Sequence, residues 1–260
     1  MIKRMLIAML LLTAAFRADA VVDMTDIWWN PTESGWGVNV VQSNTTQFLT
    51  FFIYGQNGQP TWYVVATEQG ADGNYSGTMV ATTGTYFGAP WAGAVGVPAG
   101  TASFQPIDAY HATLVYTLTN HPPVTKPIER QDLASHVLAG SYVGSIAGKV
   151  TGCGNEANNK PSARGTYSLE VTQVADASAT LTFSFVNGAA CTLSGPLTHF
   201  GKIYQMANAQ YSCTGVVFSP GPVTATIDSF HPTGQGIEGR WTASTADGCT
   251  ESIHFSAVLL

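Results

Sequence analysis

The sequence predicts an all-β chain of two antiparallel meander domains, each a barrel or a sandwich, the second stapled by two disulfides. Three observations carry this reading. The composition is rich in Gly, Thr, Ser, Val and aromatic residues and poor in Leu, Lys, Glu and Arg, a balance that favours strands over helices. Short apolar segments of period two recur along the chain, separated by turns rich in Gly, Pro, Asn and Asp. All four cysteines, Cys153, Cys191, Cys213 and Cys249, fall in the second half.

The chain opens with a basic segment carrying Lys3 and Arg4, an apolar run from Met5 to Phe16, and Ala18-Asp19-Ala20. This is the pattern of a bacterial signal peptide, expected to be cleaved after Ala20, and the run is too short for a membrane span. No later run is long and apolar enough for one. The expected organisation is a signal peptide over 1–20, an aromatic-rich β domain over 21–133, and a disulfide-stapled β domain over 134–260. The expected location is the periplasm or the extracellular space.

Removing Lys3, Arg4, Arg17 and Asp19 from the 10 basic and 16 acidic residues leaves a formal charge of −8. No Lys or Arg lies between Arg17 and Lys126. Such a surface cannot neutralise phosphates, which argues against nucleic acid and anionic lipid as partners.

The first domain centres on Asp26 to Gly37, DIWWNPTESGWG. Asp26 to Trp29 reads as a short strand. Asn30 to Gly35 reads as a turn. Trp36 to Gln42 alternates Trp36, Val38 and Val40 against Gly37, Asn39 and Val41. Gln47 to Tyr54 is apolar on both faces, with Phe48, Phe52 and Tyr54 on one side and Leu49, Phe51 and Ile53 on the other. A hairpin centred near Asn57 returns it as Pro60 to Thr67 and places Phe52 opposite Trp62, and Phe51 near Tyr63. Further strands follow at Asn74–Thr83, Thr101–Gln105, Ala112–Thr119 and Val124–Arg130. Gly84 to Gly100, which carries Trp91, reads as a loop: either a rim over a barrel mouth or a connector. Leu133 to Leu138 adds a short helical turn near the domain boundary.

The second half offers strands at Gly140–Ser145, Gly165–Val174, Thr180–Val186, Cys191–His199, Lys202–Cys213, Val223–Phe230, Gly236–Ala243 and Glu251–Val258. Its turns include Asn187-Gly188, Phe200-Gly201 and Asp247-Gly248. Cys191 and Cys213 are placed symmetrically about Lys202, so they face each other across one hairpin. Cys153 follows the first strand and Cys249 precedes the last, which are neighbours in a closed meander. The predicted bridges are Cys191–Cys213 and Cys153–Cys249.

Trp28 to Gly37, then Phe52-Ile-Tyr54-Gly-Gln-Asn-Gly58-Gln-Pro60-Thr-Trp62, then Lys126-Pro-Ile128-Glu-Arg130-Gln131 together resemble a family of exported bacterial proteins and modules. Its pattern runs W-W-N-P-x-E-S-G-W-G, F-x-Y-x-x-x-G-x-P-x-W and K-x-I-x-R-Q. Glu129 departs from it, where a small hydroxylated residue is expected. The resemblance spans about half of the chain and implies a secreted, all-β, two-domain protein. It implies no activity.

Five of the six tryptophans lie in the first domain. Trp28, Trp29, Trp36 and Trp62 are candidates for a platform that stacks on a sugar ring or another flat ligand, with Asn30, Glu33, Asn39 and Tyr54 as polar contacts. The alternative is that these rings are core plugs. Trp28 and Trp29 are adjacent, so only one can line a given cavity. Glu33, with Asp26 as partner carboxylate, is the candidate catalytic pair of a secreted hydrolase. The competing roles for Glu33 are a turn carboxylate that caps backbone N–H groups and an ion pair with Arg130. No nucleophile elbow, catalytic triad, metal motif or cofactor motif is present. The leading expectation is a non-catalytic exported protein that binds a glycan or a small apolar molecule. A hydrolase, or a module that binds or inhibits another exported protein, are the alternatives.

Overall fold

The structure, a computed structural model, describes residues 22–215, 223–245 and 248–260. The expected signal peptide over 1–20, and Asp247 of one expected turn, lie outside the described residues.

The chain is all-β. Eight strands form a closed antiparallel barrel: β1 (Asp26–Trp29), β2 (Gly37–Ser43), β3 (Thr46–Tyr54), β4 (Pro60–Gln69), β5 (Tyr75–Gly84), β6 (Ala94–Pro106), β7 (His111–Leu118) and β8 (Val124–Arg130). Each strand pairs with the next, and β1 closes on β8 through Trp28↔Arg130 and Trp29↔Glu129. Period-two alternation sorts the side chains. Val38, Val40, Leu49, Phe51, Val65, Phe104 and Leu114 fill the interior, with Trp28 edge-on to Phe104 at 5.0 Å. The expected pairs Phe52↔Trp62 and Phe51↔Tyr63 both form.

Two expectations fail here. Much of the Gly84–Gly100 loop is strand, because β5 and β6 extend their ladder out to Gly84↔Ala94. Glycine and alanine disguised a hairpin whose backbone pairs without large side chains. No helical turn forms over Leu133–Leu138; the segment has no regular secondary structure, with Leu138 N–H donating to the Gln173 side chain at 2.7 Å and Leu138 itself buried.

The second sheet holds β9 (Gly140–Thr151), β10 (Lys160–Val174), β11 (Ser178–Phe185), β12 (Ala190–Pro196), β13 (Thr198–Phe200), β14 (Ile203–Thr214), β15 (Val223–Thr233), β16 (Gly236–Ser244) and β17 (Thr250–Leu259). One 3-10 turn, Glu156–Asn158, precedes β10. First and last strands pair along β9 and β17. The pairing of β12 with β14 joins the sheet's ends, so eight of its nine strands form a continuous ring, with β13 beside β14. Both predicted bridges are present. Cys191–Cys213 spans the directly paired positions of β12 and β14, and Cys153–Cys249 ties the segment after β9 to the one before β17.

The hairpin between β13 and β14 rests against the base of the barrel. Lys202 N–H donates to Asp26 at 3.2 Å, Lys202 Nζ meets Asp23 at 2.8 Å, and Phe200 packs 4.8 Å from Tyr110. Gly201 at the turn has φ +60°, and a Cβ there would lie 2.5 Å from Asp26 Oδ2 and 2.8 Å from Arg130 Cβ. Only glycine fits this approach.

Candidate functional site

The turn after β1 is built locally. Asn30 Oδ1 accepts from the Thr32 N–H at 2.9 Å and the Thr32 hydroxyl at 2.8 Å, an Asx turn with Pro31 inside it. Gly35 supplies φ +108° beside the Tyr54 ring. This turn folds Glu33 and Trp36 over one mouth of the barrel. Trp36 Nε1 donates to Glu33 Oε2 at 3.1 Å, and Lys126 Nζ lies 2.6 Å from the same oxygen. The Lys126 ammonium is the main reason that Glu33 is held below its ordinary pKa, with Trp36 adding to it. Lys126 Nζ also lies 5.9 Å from the Trp36 ring centroid.

Several candidate residues therefore take structural roles. Trp28 is fully buried in the core and lines no cleft. Asn30 is buried and caps its turn. Glu33 pairs with Lys126, not Arg130, because Arg130 is already engaged by Asp26 at the other end of β8. Asp26 and Glu33 do not form a catalytic pair: their cations stand four residues apart on one strand, about 13 Å by strand rise, and each carboxylate is turned to its own cation.

Period two sends Trp29, Asn39, Tyr54 and Trp62 outward, whereas Trp36 keeps the inward parity of Val38 and Val40 and packs partly against the core. Trp29, Trp36, Asn39 and Phe52 border a cleft of about 340 Å³, together with Gln131. Phe52, Tyr54, Pro60 and Trp62 border a second of about 360 Å³. Phe52 and Gly35 belong to both, so the clefts adjoin across the outer face of β1 to β4. Phe52, Tyr54 and Trp62 are each about half exposed, at 56%, 57% and 49%. The Trp29 indole N–H has no hydrogen-bond partner within the protein. Val41 and Phe48 continue the apolar stripe along the same face. Trp91, with Tyr86 and Phe87, is exposed at the tip of the β5–β6 hairpin, away from both clefts.

Phe52 was missed among the site candidates, although its alternation with Phe51 and its place opposite Trp62 already put it on this face. A cavity larger than both clefts was missed altogether. It measures about 750 Å³ and lies in the second sheet, around Tyr211, Trp241 and Glu251. Its signal was an acidic residue, Glu251, in step with Ile253, Phe255 and Ala257 on the buried side of β17.

Asp108 and His111 form an exposed ion pair at 3.0 Å, and Arg240 forks onto Asp228. Among the described residues no group of three or more His, Cys, Asp or Glu is placed to hold a metal ion. No helix there is long and apolar enough to cross a membrane. No protein-family model matches the chain, and no curated protein matches it.

Proposed function

We propose that the chain is an exported two-domain binding protein, related to the W-W-N-P-x-E-S-G-W-G proteins it resembles, that holds a carbohydrate on the aromatic outer face of its first barrel. One observation carries this reading: Phe52 joins two adjoining clefts edged by Trp29, Trp36, Tyr54 and Trp62. Aromatic rings lose little conformational entropy on binding, and their faces suit the C–H faces of sugar rings. Amide and hydroxyl groups of Asn39, Gln131 and Ser34 at the first cleft suit the ring's hydroxyls. A small apolar ligand would use the same rings without those edges. The two disulfides fit an oxidising compartment.

The test is calorimetric titration of the mature protein with a panel of glycans and cell-wall fragments, repeated on Phe52→Ala and Trp62→Ala. Both side chains are half exposed, so their loss leaves the fold intact. Binding that disappears in both variants at unchanged unfolding midpoint supports the reading. No glycan response, or binding indifferent to both variants, overturns it. The continuation of the stripe through Val41 and Phe48 favours a second reading, an exported protein partner laid flat on this face.

A further inference from the structure

A cavity larger than either cleft has no part in the site above. Residues from seven of the eight ring strands border it, so it occupies one mouth of the second sheet's ring. Ile146, Val150, Phe185 and Ile253 give it apolar walls, and the Cys191–Cys213 bridge lies in its lining. Its volume of about 750 Å³ falls within the range of small-molecule pockets.

Three polar groups meet inside it. Glu251 Oε2 accepts from the Tyr211 hydroxyl at 3.0 Å and from Trp241 Nε1 at 3.3 Å. The Tyr211 oxygen also lies 3.1 Å from Cys213 Sγ. Glu251 is only 6% exposed, and no cation lies within ion-pair distance of it among the described residues. A polar cluster at one place in an otherwise apolar cavity orients a ligand that has one polar atom and an apolar body.

We propose that this mouth is a second binding site, for an uncharged, mainly apolar small molecule whose single oxygen acceptor meets the Glu251 carboxyl. Burial pushes the Glu251 pKa up, which favours the neutral acid. A neutral carboxyl keeps an O–H donor for a ketone, ester or hydroxyl oxygen while still accepting from Tyr211 and Trp241. Ionisation removes that donor, so affinity falls as pH rises. The other ionisable groups at the cavity are Tyr211, and Lys160 and Arg164 on β10, with Glu156 beside the lining residue Ala157. Lys149 on the neighbouring β9 and His254 on β17 itself are exposed on the opposite face. Neither Lys160 nor Arg164 forms an ion pair among the described residues, which makes an anionic amphiphile the competing occupant.

The probe is 6-propionyl-2-dimethylaminonaphthalene, an uncharged aromatic ketone, with anilinonaphthalene sulfonate as its anionic counterpart. The ketone is expected to bind saturably, with a blue-shifted emission. Gly165→Leu tests the location. A Cβ at Gly165 makes ordinary contacts of 3.4 Å with Phe185 and 3.6 Å with Ile146, so the larger side chain grows into the cavity. It should weaken ketone binding by an order of magnitude, whereas Phe52→Ala and Trp62→Ala leave it unchanged. Loss in the latter pair alone would assign the probe to the first barrel and overturn the second site. Glu251→Gln, which keeps a donor and an acceptor at every pH, should bind the ketone with little dependence on pH between about 4 and about 9. Absence of saturable binding, binding indifferent to Gly165→Leu, a pH profile unaltered by Glu251→Gln, or tighter binding of the sulfonate each overturns the proposal.

Discussion

Arg130 and Trp28 stand directly opposite one another on β8 and β1, with the guanidinium carbon 4.9 Å from the indole centroid. The Arg130 side chain has no exposed surface. Its Nε donates to the Ala109 carbonyl at 2.7 Å, Nη2 to the Asp23 carbonyl at 2.6 Å, and Nη1 to Asp26 at 3.0 Å. A planar fork with five donors can serve these acceptors together, whereas an ammonium cannot. The two patterned segments, Trp28 to Gly37 and Lys126 to Gln131, thus meet at both ends of the barrel: Arg130 with Trp28, beside Asp26, at one, and Lys126 with Glu33 at the other.

Arg130→Ala should destabilise the protein by about 3–5 kcal/mol, because it removes the cation that pairs with Asp26 and leaves two partly buried carbonyls without their donor. Arg130→Lys should recover only part of this. Equilibrium denaturation in guanidinium chloride measures both. A loss in Arg130→Ala no larger than that of Lys126→Met, whose partner Glu33 is solvated, contradicts the staple role.

The two disulfides differ in the chain they close. Cys153–Cys249 spans 96 residues and Cys191–Cys213 spans 22. On chain entropy alone the first contributes about 5 kcal/mol and the second about 3 kcal/mol. Replacing both cysteines of the long bridge by serine should therefore lower the urea midpoint further than the same change at the short one. The reverse order would mean that local packing, with Tyr211 against the short bridge, outweighs loop length.

Strand pattern and pairing were legible because period two leaves little freedom. The Asn57 turn alone set Phe52 against Trp62, and symmetry about Lys202 set Cys191 against Cys213. What the pattern does not carry is the sense of a short strand. Trp28 and Trp29 are equivalent in sequence, and the register of β1 against β2 and β8 turns Trp28 inward. The pairing of Glu33 was misjudged for a related reason. Lys126 and Arg130 share the inward face of β8 with Ile128, and which carboxylate reaches which cation depends on which barrel end each occupies. The Gly84–Gly100 stretch misled because its pairing rests on backbone rather than on side chains.

Gly201 sets the contact between the β13–β14 hairpin and the barrel. Gly201→Ala places a Cβ against Asp26 and Arg130 in a left-handed backbone conformation, which costs on the order of 1–2 kcal/mol before any clash is counted. The contact should loosen while each sheet keeps its core. Limited digestion with a protease of broad specificity should then cut faster within the largely exposed segment 131–139. Digestion at the wild-type rate would show that other contacts between the second sheet and the barrel, such as Ser229 N–H of β15 donating to the Tyr110 hydroxyl at 3.0 Å, suffice without it.

Glu251 gives the stability a definite dependence on pH. Its folded pKa is raised by burial, so the folded state holds its proton more tightly than the unfolded chain does. Its contribution is fully present below the ordinary carboxyl pKa of 4.5 and is lost as pH rises through the higher folded value. Asp108 and Asp23 have lowered values, through their bonds to His111 and Lys202, and act in the opposite sense: their contributions are present at neutral pH and lost on acidification. Glu251→Gln removes one of these slopes and keeps the acceptor for Tyr211 and Trp241. The variant should therefore match the wild type near pH 4 and exceed it in stability at about pH 8. Urea denaturation of both proteins at the two pH values measures the difference. A constant difference would mean that Glu251 titrates alike in the folded and unfolded chain.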